Sequence, residues 1–462
     1  NHTLLPEALE KRDSSIIGKI LPRHLQIIYE INRRFMEFAR SRFGDDAYKL
    51  GRVSIVDGEG DNQVIRMANL SIVGSFSVNG VAKLHSELVK HSLVPEFFEL
   101  WPEKFTNVTN GITPRRWLVH ANHELADFLA QKIGTDWITD LDKLRELEKY
   151  ADDNDFIQEF RRIKRDNKKR LVQHVYKTTR VMINKDSMYI VHAKRIHEYK
   201  RQLMTILQVI GEYLSIVRDN KHPITPKTYI FAGKAAPSYT FAKLVIKLIN
   251  NVANVVNNDE KANEFLKVVF IPDYKVSVAE YLIPAADLSC EVSTAGFEAS
   301  GTSNMKFALN ASVTVGTYDG ANIEIYDAVG ADNFYLFGLT EEQIRSRRMT
   351  YNPREIYENS EYVKRILNAL NSNMFADENY PQLFRPIFDS LLNNDYYFIL
   401  ADLESFNNAI QKAAKDFADK DKWAKKALMN MARIGYFSSD RSVMEYARNI
   451  WHVEPVEDKP EK

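Results

Sequence analysis

The chain has 462 residues, 45% hydrophobic and 27% charged, and its 62 Lys+Arg balance its 62 Asp+Glu to a net charge of zero. That composition is ordinary for a globular protein, the length allows two or three domains, and the neutrality gives no sign of a polyanion partner such as nucleic acid, so any basic cluster is a local device. A single cysteine, Cys290, excludes an internal disulfide and fits a reducing cytosol, and no apolar run approaches the ~18 residues of a membrane span.

In chain order, the sequence opens on Asn1 with no signal-peptide pattern and reads as starting partway through a larger domain. Thr3 is a cap for a short helix with Pro6 in its first turn. Residues 22–38 place Leu25, Ile28, Tyr29, Ile31, Phe35 and Phe38 at helical spacing, an amphipathic helix. Residues 57–61 read as a loop, 67–76 as a buried strand or helix start, and 78–89 as a second helix. These helices lack an adequate sheet of their own and look like the tail of a larger domain. Asn110-Gly111 marks a turn, with Thr113 as N-cap and Pro114 opening a helix that carries Arg115, Arg116 and Trp117. Residues 119–184 are charge-rich and helical in pattern, most simply solvated faces.

Residues 188–191 form a short apolar strand, followed by a loop carrying Lys194, Arg195, His197, Lys200 and Arg201 and then a helix with Leu203, Ile206, Leu207 and Ile210 on its core side. Ligands in open α/β sheets bind at the carboxyl ends of strands, so cations there suggest a multi-phosphate site; by composition alone a solvated basic run is an equal reading. The unit repeats: a strand at 228–233, a loop through Pro237, a helix to about Val256, then a strand at 266–272 followed by Tyr274. This alternation implies a parallel, doubly wound sheet. Gly233-Lys234 is half of a phosphate loop, but the remaining spacing is missing, which argues against a nucleotide triphosphatase.

The stretch Glu298-Ala-Ser-Gly-Thr-Ser-Asn-Met-Lys306 is rich in small and hydrogen-bonding residues and reads as a tight loop feeding a helix N-terminus, where an anion is favoured. Lys306 follows on the first turns, between Met305 and Phe307. A lysine desolvated beside an anion site is what a covalent pyridoxal cofactor needs; on pattern alone the stretch is a Gly/Ser turn with an exposed lysine. Residues 313–325 read as strand, Asp-Gly turn, strand, residues 437–451 as a capped amphipathic helix, and residues 454–462 as a frayed tail.

Several of these stretches together resemble the α-glucan (glycogen, starch, maltodextrin) phosphorylases: Asn1-His-Thr-Leu-Leu-Pro-Glu-Ala-Leu-Glu10, residues 21–32, Val78-Asn-Gly-Val-Ala82, Lys194-Arg-Ile-His-Glu-Tyr-Lys-Arg201 and Glu298–Lys306. The resemblance covers nearly all of the chain, and the last two motifs are long and specific. It implies an α/β chain: residues 1–109 as the later portion of an N-terminal domain (a helical remnant), residues 110–437 as a Rossmann-like domain binding cofactor and phosphate, and residues 438–462 as a helix crossing back with its tail, within the two-domain GT-B glycosyltransferase architecture. It also implies that the earlier part of the N-terminal domain, with its glycine-rich loop over the cofactor, is absent.

The implied reaction is phosphorolysis of terminal α-1,4-glucosidic bonds to α-D-glucose 1-phosphate, with retention, and the implied cofactor is pyridoxal 5'-phosphate as a Schiff base on Lys306. By resemblance Lys194 approaches the cofactor phosphate, with Thr302, Ser303 and Gly301 beside it, Tyr274 near the pyridine ring and Trp117 packed close. Arg195 and Lys200 hold the substrate phosphate. Asn110, Tyr199, Glu298, Ser300 and Gly301 contact the sugar, and His2 faces it with its ring and carbonyl. No metal is implied. The partners are an α-1,4-glucan and inorganic phosphate, the full-length protein is a homodimer in the cytoplasm, and neither nucleic acid nor membrane is involved. Phe297 stands where the family usually has Thr, Ala311 where it has Gly, Phe76-Ser77 where it has His-Ala, and Lys275 where Asn or Arg is usual. Two other readings stay open: a nucleotide-sugar glycosyltransferase of the same architecture, in which Lys306 is non-covalent, and a non-catalytic fragment that binds cofactor or glucan.

Overall fold

A computed structural model describes residues 2–5 and 8–456. The chain forms two compact units, one of Asn1–Thr109 with Met444–Lys462 and one of Asn110–Val443.

In the first unit the long helix α1 (Pro22–Phe43) begins with proline at its first turn and ends at Gly44 in a positive-φ conformation. Its buried residues are Phe35 and Ala39, which pack with Phe97 and Phe105 in a small core. Of the expected apolar stripe Tyr29 is exposed, Leu25, Ile28, Ile31 and Phe38 are half-buried and only Phe35 is buried, so the stripe is fully covered only toward its C-terminal half. The local sheet is a three-stranded piece of residues 11–13, 64–66 and 56–57, too small to bury the helix. Residues 67–74 are helical; residues 78–89, expected as one helix, instead begin as a strand at Val78–Gly80 and turn helical at Lys83–Leu88. That strand pairs in parallel with Phe105–Asn107, a partner distant in sequence that local periodicity does not reveal. Thr3 sits in a bridge; Pro6 of the expected short helix lies outside the described residues, as does the tail beyond residue 456.

The second unit is α/β, built on a six-stranded sheet in which every pairing is parallel: β1 (Met188–Ala193), β2 (Lys227–Ala232), β3 (Leu266–Ile271), β4 (Leu288–Glu291), β5 (Val313–Gly316) and β6 (Phe334–Leu336). The spatial order is β3-β2-β1-β4-β5-β6, a doubly wound order that reverses between β1 and β4. Strands β1 to β5 are buried along nearly their whole length because both faces are covered. Alternation assigns Met188 and Ile190 to one core and Tyr189, Val191 and Ala193 to the other. Helices α3 (Gln202–Val217) and α4 (Thr240–Asn258) serve the first core, and α2 (Asn154–Thr179) and α5 (Val276–Ala285) the second through Leu171, Val175, Val278 and Leu282.

Residues 313–325 are not a hairpin. β5 ends at Gly316, the Asp319-Gly320 turn follows, and the chain enters helix α7 (Asn322–Val329) rather than a second strand. A hairpin partner would have to displace β6 or β4, which already flank β5 in parallel. The stretch ending at Lys306 does feed a helix, α6 (Ser303–Leu309).

Where β1 and β2 end, the loops nearly touch. A Cβ at Gly233 would lie 1.9 Å from the Lys194 carbonyl oxygen, and the loop amides there already bond across, Lys194 N–H to Ala232 O and Ile196 N–H to Lys234 O, both at 3.0 Å. Gly233→Ala is therefore expected to push the Lys194 loop away and lower the unfolding free energy by about 1–3 kcal/mol or more. Urea unfolding checks this, and an unchanged midpoint would contradict it.

Candidate functional site

A reversal of strand order such as that between β1 and β4 is where open α/β sheets form a ligand-binding crevice at the carboxyl ends of their strands, and two buried, opposite charges meet there. Lys194 follows β1, Glu291 ends β4, and the ammonium and carboxylate form an ion pair in which both side chains are almost wholly buried. Glu291 also accepts a hydrogen bond from the Ser303 hydroxyl at 3.0 Å, at the start of α6, and its carbonyl accepts from Asn322 Nδ2 at 2.9 Å, at the start of α7. One short strand thus ties together the loop after β1 and the helices that follow β4 and β5.

On α6, Lys306 is half-buried, not exposed as the bare pattern suggests. Its Nζ stands 4.3 Å from the centroid of the Trp117 ring. Burial holds its amine below the ordinary 10.5, and the neighbouring Glu291 only partly opposes this. Asn310, just past α6, fixes the arrangement: its Nδ2 donates to the Trp117 carbonyl at 2.7 Å and to the Lys306 carbonyl at 3.0 Å, and its Oδ1 accepts from Asn122. Trp117 and the half-buried Tyr274 both pack against the core that holds Phe307. Burial pushes the Tyr274 phenol up to about 12, so the hydroxyl stays protonated.

Beside this group lies a second one. Lys200 Nζ donates to Glu298 Oε2 at 2.6 Å with both side chains mostly buried, and the same ammonium sits 4.7 Å from the Tyr199 ring centroid. Tyr199 is buried, and desolvation raises its phenol further, toward a permanently protonated donor. Glu298 is held from behind by Asp319, a buried carboxylate that accepts from the Ser293 hydroxyl (2.8 Å) and from the amides of Gly296 (2.8 Å), Glu298 (2.9 Å) and Gly320 (3.0 Å). Burial pushes Asp319 up to about 6 against the pull of these donors. Gly320 is required where it stands: its φ is +51° and a Cβ would lie 2.7 Å from the Ser300 carbonyl oxygen.

The remaining expected residues are distributed around these two groups. Thr302 is the N-cap position of α6 without a side-chain capping bond, preceded by Gly301 at φ +76°, and the Ser300 hydroxyl donates to the Gly301 carbonyl. Arg195 is exposed, with its carbonyl accepting from Gln202. Asn110 accepts at its carbonyl from Arg441. His2 is exposed and belongs to the first unit. Of the four loop cations, Arg201 does not face the crevice. It is fully buried at φ 54°, donating to Asp402 at 2.7 Å and to the carbonyls of Val292 and Ser293 just past β4.

Glu291, Asp319 and Asn310 were not legible as site residues. β4 spans only four residues, Asp319 sits in what reads as a hairpin turn, and Asn310 acts through backbone carbonyls remote in sequence. The one usable signal for Glu291 is an acidic residue closing a short apolar run immediately before a small-residue loop.

A carbohydrate phosphorylase family model matches residues 1–453. A glycogen phosphorylase from Synechocystis sp. is 49% identical over 457 residues, covering 99% of this chain and 54% of its own. One from Chlamydia trachomatis is 49% identical over 454 residues (98% and 55%), and the human brain form of glycogen phosphorylase is 46% identical over 456 residues (98% and 54%). The chain spans about half the length of these curated relatives.

Asp319→Asn sets an amide against several backbone N–H groups and is expected to lower the unfolding free energy by about 2–4 kcal/mol at neutral pH. Since the folded pKa of Asp319 lies above its ordinary 3.8, the native state holds this proton longer than the unfolded chain. The contribution of Asp319 is thus greatest at low pH and declines as pH climbs from about 4 to about 6. Urea unfolding of both proteins at pH 4.5 and 7 should show the gap widening on acidification; a gap that narrows would refute the assignment.

Proposed function

The chain belongs to the carbohydrate phosphorylase family, and from that premise we propose that it carries the cofactor- and phosphate-binding half of an α-glucan phosphorylase of the two-domain GT-B architecture, which transfers terminal α-1,4-linked glucosyl units to inorganic phosphate with retention and releases α-D-glucose 1-phosphate. The observation that carries this reading is the pairing of a desolvated amine, Lys306 against Trp117, with a buried ammonium, Lys194, at the strand crossover. In this proposal residues 110–437 form the binding domain, the protein is cytoplasmic, and its full-length form is a homodimer.

Pyridoxal 5'-phosphate fits the residues present. Lys306 offers an amine that burial makes easier to deprotonate, walled by Trp117, with Tyr274 packed on the same core, and Lys194 with Ser303 offers donors for a phosphate. When bound, the group would supply a phosphate able to exchange a proton with the substrate phosphate, in place of the electron-sink chemistry usual for pyridoxal. The chain's own residues do the rest. Lys194 neutralises one anion, and its present partner Glu291 holds the ammonium in place until that anion takes over. Arg195, on an exposed arm, presents a planar fork to the attacking phosphate, and Lys200 adds a point charge. Glu298 accepts from a sugar hydroxyl while Lys200 holds it in register, and protonated Tyr199 can donate to the same sugar. Ser300, Gly301 and Thr302 supply backbone and hydroxyl donors along the loop. Attack by phosphate makes the two carboxylates of a retaining hydrolase unnecessary. The roles of Asn110 and of the His2 ring and carbonyl toward the sugar rest on the sequence match alone.

Borohydride reduction of the chain after incubation with pyridoxal 5'-phosphate, followed by peptide mapping, is expected to place the label on Lys306. The lowered amine predicts labelling with a midpoint below pH 10.5, the ordinary lysine value; label elsewhere, or none, rejects the cofactor assignment. Phosphate-dependent formation of glucose 1-phosphate from maltodextrin, assayed with the chain alone and with a relative's upstream half added in trans, tests the reaction. Lys200→Ala should reduce that rate by about 100-fold or more. Glucosyl transfer from a nucleotide sugar by an unlabelled chain would favour the glycosyltransferase reading instead.

A further inference from the structure

A second concentration of charge lies at the opposite, amino ends of the strands. There the segments leading into β1, β4 and β5 supply Asp186, Asp287 and Ala311 to a cavity of about 370 Å³ whose walls are α2 and the helix α8 (Lys420–Ala432). Seven cationic side chains line it against two carboxylates. The carboxylates are already committed. Asp287 takes Lys168 Nζ at 2.6 Å and the Tyr189 amide at 2.8 Å, while Asp186 is shared by Arg165 and Lys185. Arg161 pairs with Asp421, and Arg162 with Glu124, Glu159 and Asp166.

Two ammonium groups remain without a carboxylate among the described residues. Lys164 donates only to the carbonyls of Pro284 (3.0 Å) and Asn310 (2.9 Å), and Lys420 stands 3.3 Å from the Phe417 ring centroid. Burial drags Lys164 down to about 7 and Lys420 to about 8, and Asp287, already bonded to Lys168, only partly opposes this. The other walls, Phe160, Phe417, Trp423, Ala424 and Ala427, are apolar and include three aromatic rings. Leaving two ammonium groups desolvated over apolar walls is costly unless something neutralises them, and the volume lies in the range of small-molecule sites.

We propose that this cavity is a binding site for a small organic phosphate monoester with a flat apolar body, the dianion neutralising Lys164 and Lys420 and the body lying against Phe417 and Trp423. The site is distinct from the crevice at the carboxyl ends of the strands, and it is wired to it. Lys164 holds the carbonyl of Asn310, whose side chain fixes Trp117 and the last turn of the Lys306 helix. An anion that draws Lys164 away from that carbonyl loosens the support behind Lys306.

The test uses 1-naphthyl phosphate and the whole chain in isothermal titration calorimetry. Saturable binding is expected, unchanged in Arg195→Ala, weakened about tenfold or more in Lys420→Glu and restored in Lys420→Arg, with neutral 1-naphthalenemethanol about tenfold weaker or worse. Loss of binding in Arg195→Ala, equal affinity in Lys420→Glu, or no saturable heat overturns the proposal. Should Lys420→Glu fail to fold, trace acetylation of the unaltered chain decides: the probe must slow modification of Lys164 and Lys420 while sparing exposed lysines, and absence of that protection overturns it equally.

Discussion

The buried pair of Lys194 and Glu291 is the constraint on which the second unit's chemistry depends. Such a pair contributes little net stability, since desolvating both charges roughly offsets their attraction, and a hydrophobic pair would serve the core as well or better. What it provides is geometry. Glu291 closes a four-residue strand and is the common acceptor for the loop after β1 and the first turn of α6, while its carbonyl receives the first residue of α7. Remove the carboxylate and a buried ammonium is left without its counter-charge, an outcome costlier than never having buried either.

The rest of the crevice is held by the same device, repeated. Arg201 is buried against Asp402 and clamps two carbonyls just past β4, and Asp319 gathers amides from the loop that presents Glu298. Arg201 thereby fixes the segment after β4, and Asp319 the loop that carries Glu298. Loops rich in small residues would otherwise sample many conformations, and the order needed for a site must come from fixed partners. Lys306 is treated differently: its neighbour is an aromatic face, whereas Lys200 is clasped by Glu298, and burial leaves the Lys306 amine easier to deprotonate than an ordinary lysine.

Much of this was legible from residue pattern. The strands at 188–193, 227–232 and 266–271 and the helices after them announce themselves as apolar runs and helical periodicity, and the cation loop and the Glu298–Lys306 stretch stand out by composition. The family resemblance carried by those two motifs is confirmed by the match over residues 1–453. What stayed hidden depends on contacts remote in sequence. The strand carrying Glu291 is too short for a periodicity signal. Asp319-Gly320 has the chemistry of a hairpin turn, yet the neighbouring positions on both sides of β5 were already taken by parallel strands, so the chain turned helical. Arg201, one of four cations in a row of eight residues, cannot be told from its neighbours until its burial is seen.

The most direct measurement is a crystal structure of the chain grown with pyridoxal 5'-phosphate. Density continuous with Lys306 Nζ is expected, with a ring beside Trp117 and Tyr274 and a phosphate that takes Lys194 from Glu291. A ring bound elsewhere, or a phosphate seated away from an intact Lys194–Glu291 pair, would contradict the cofactor assignment.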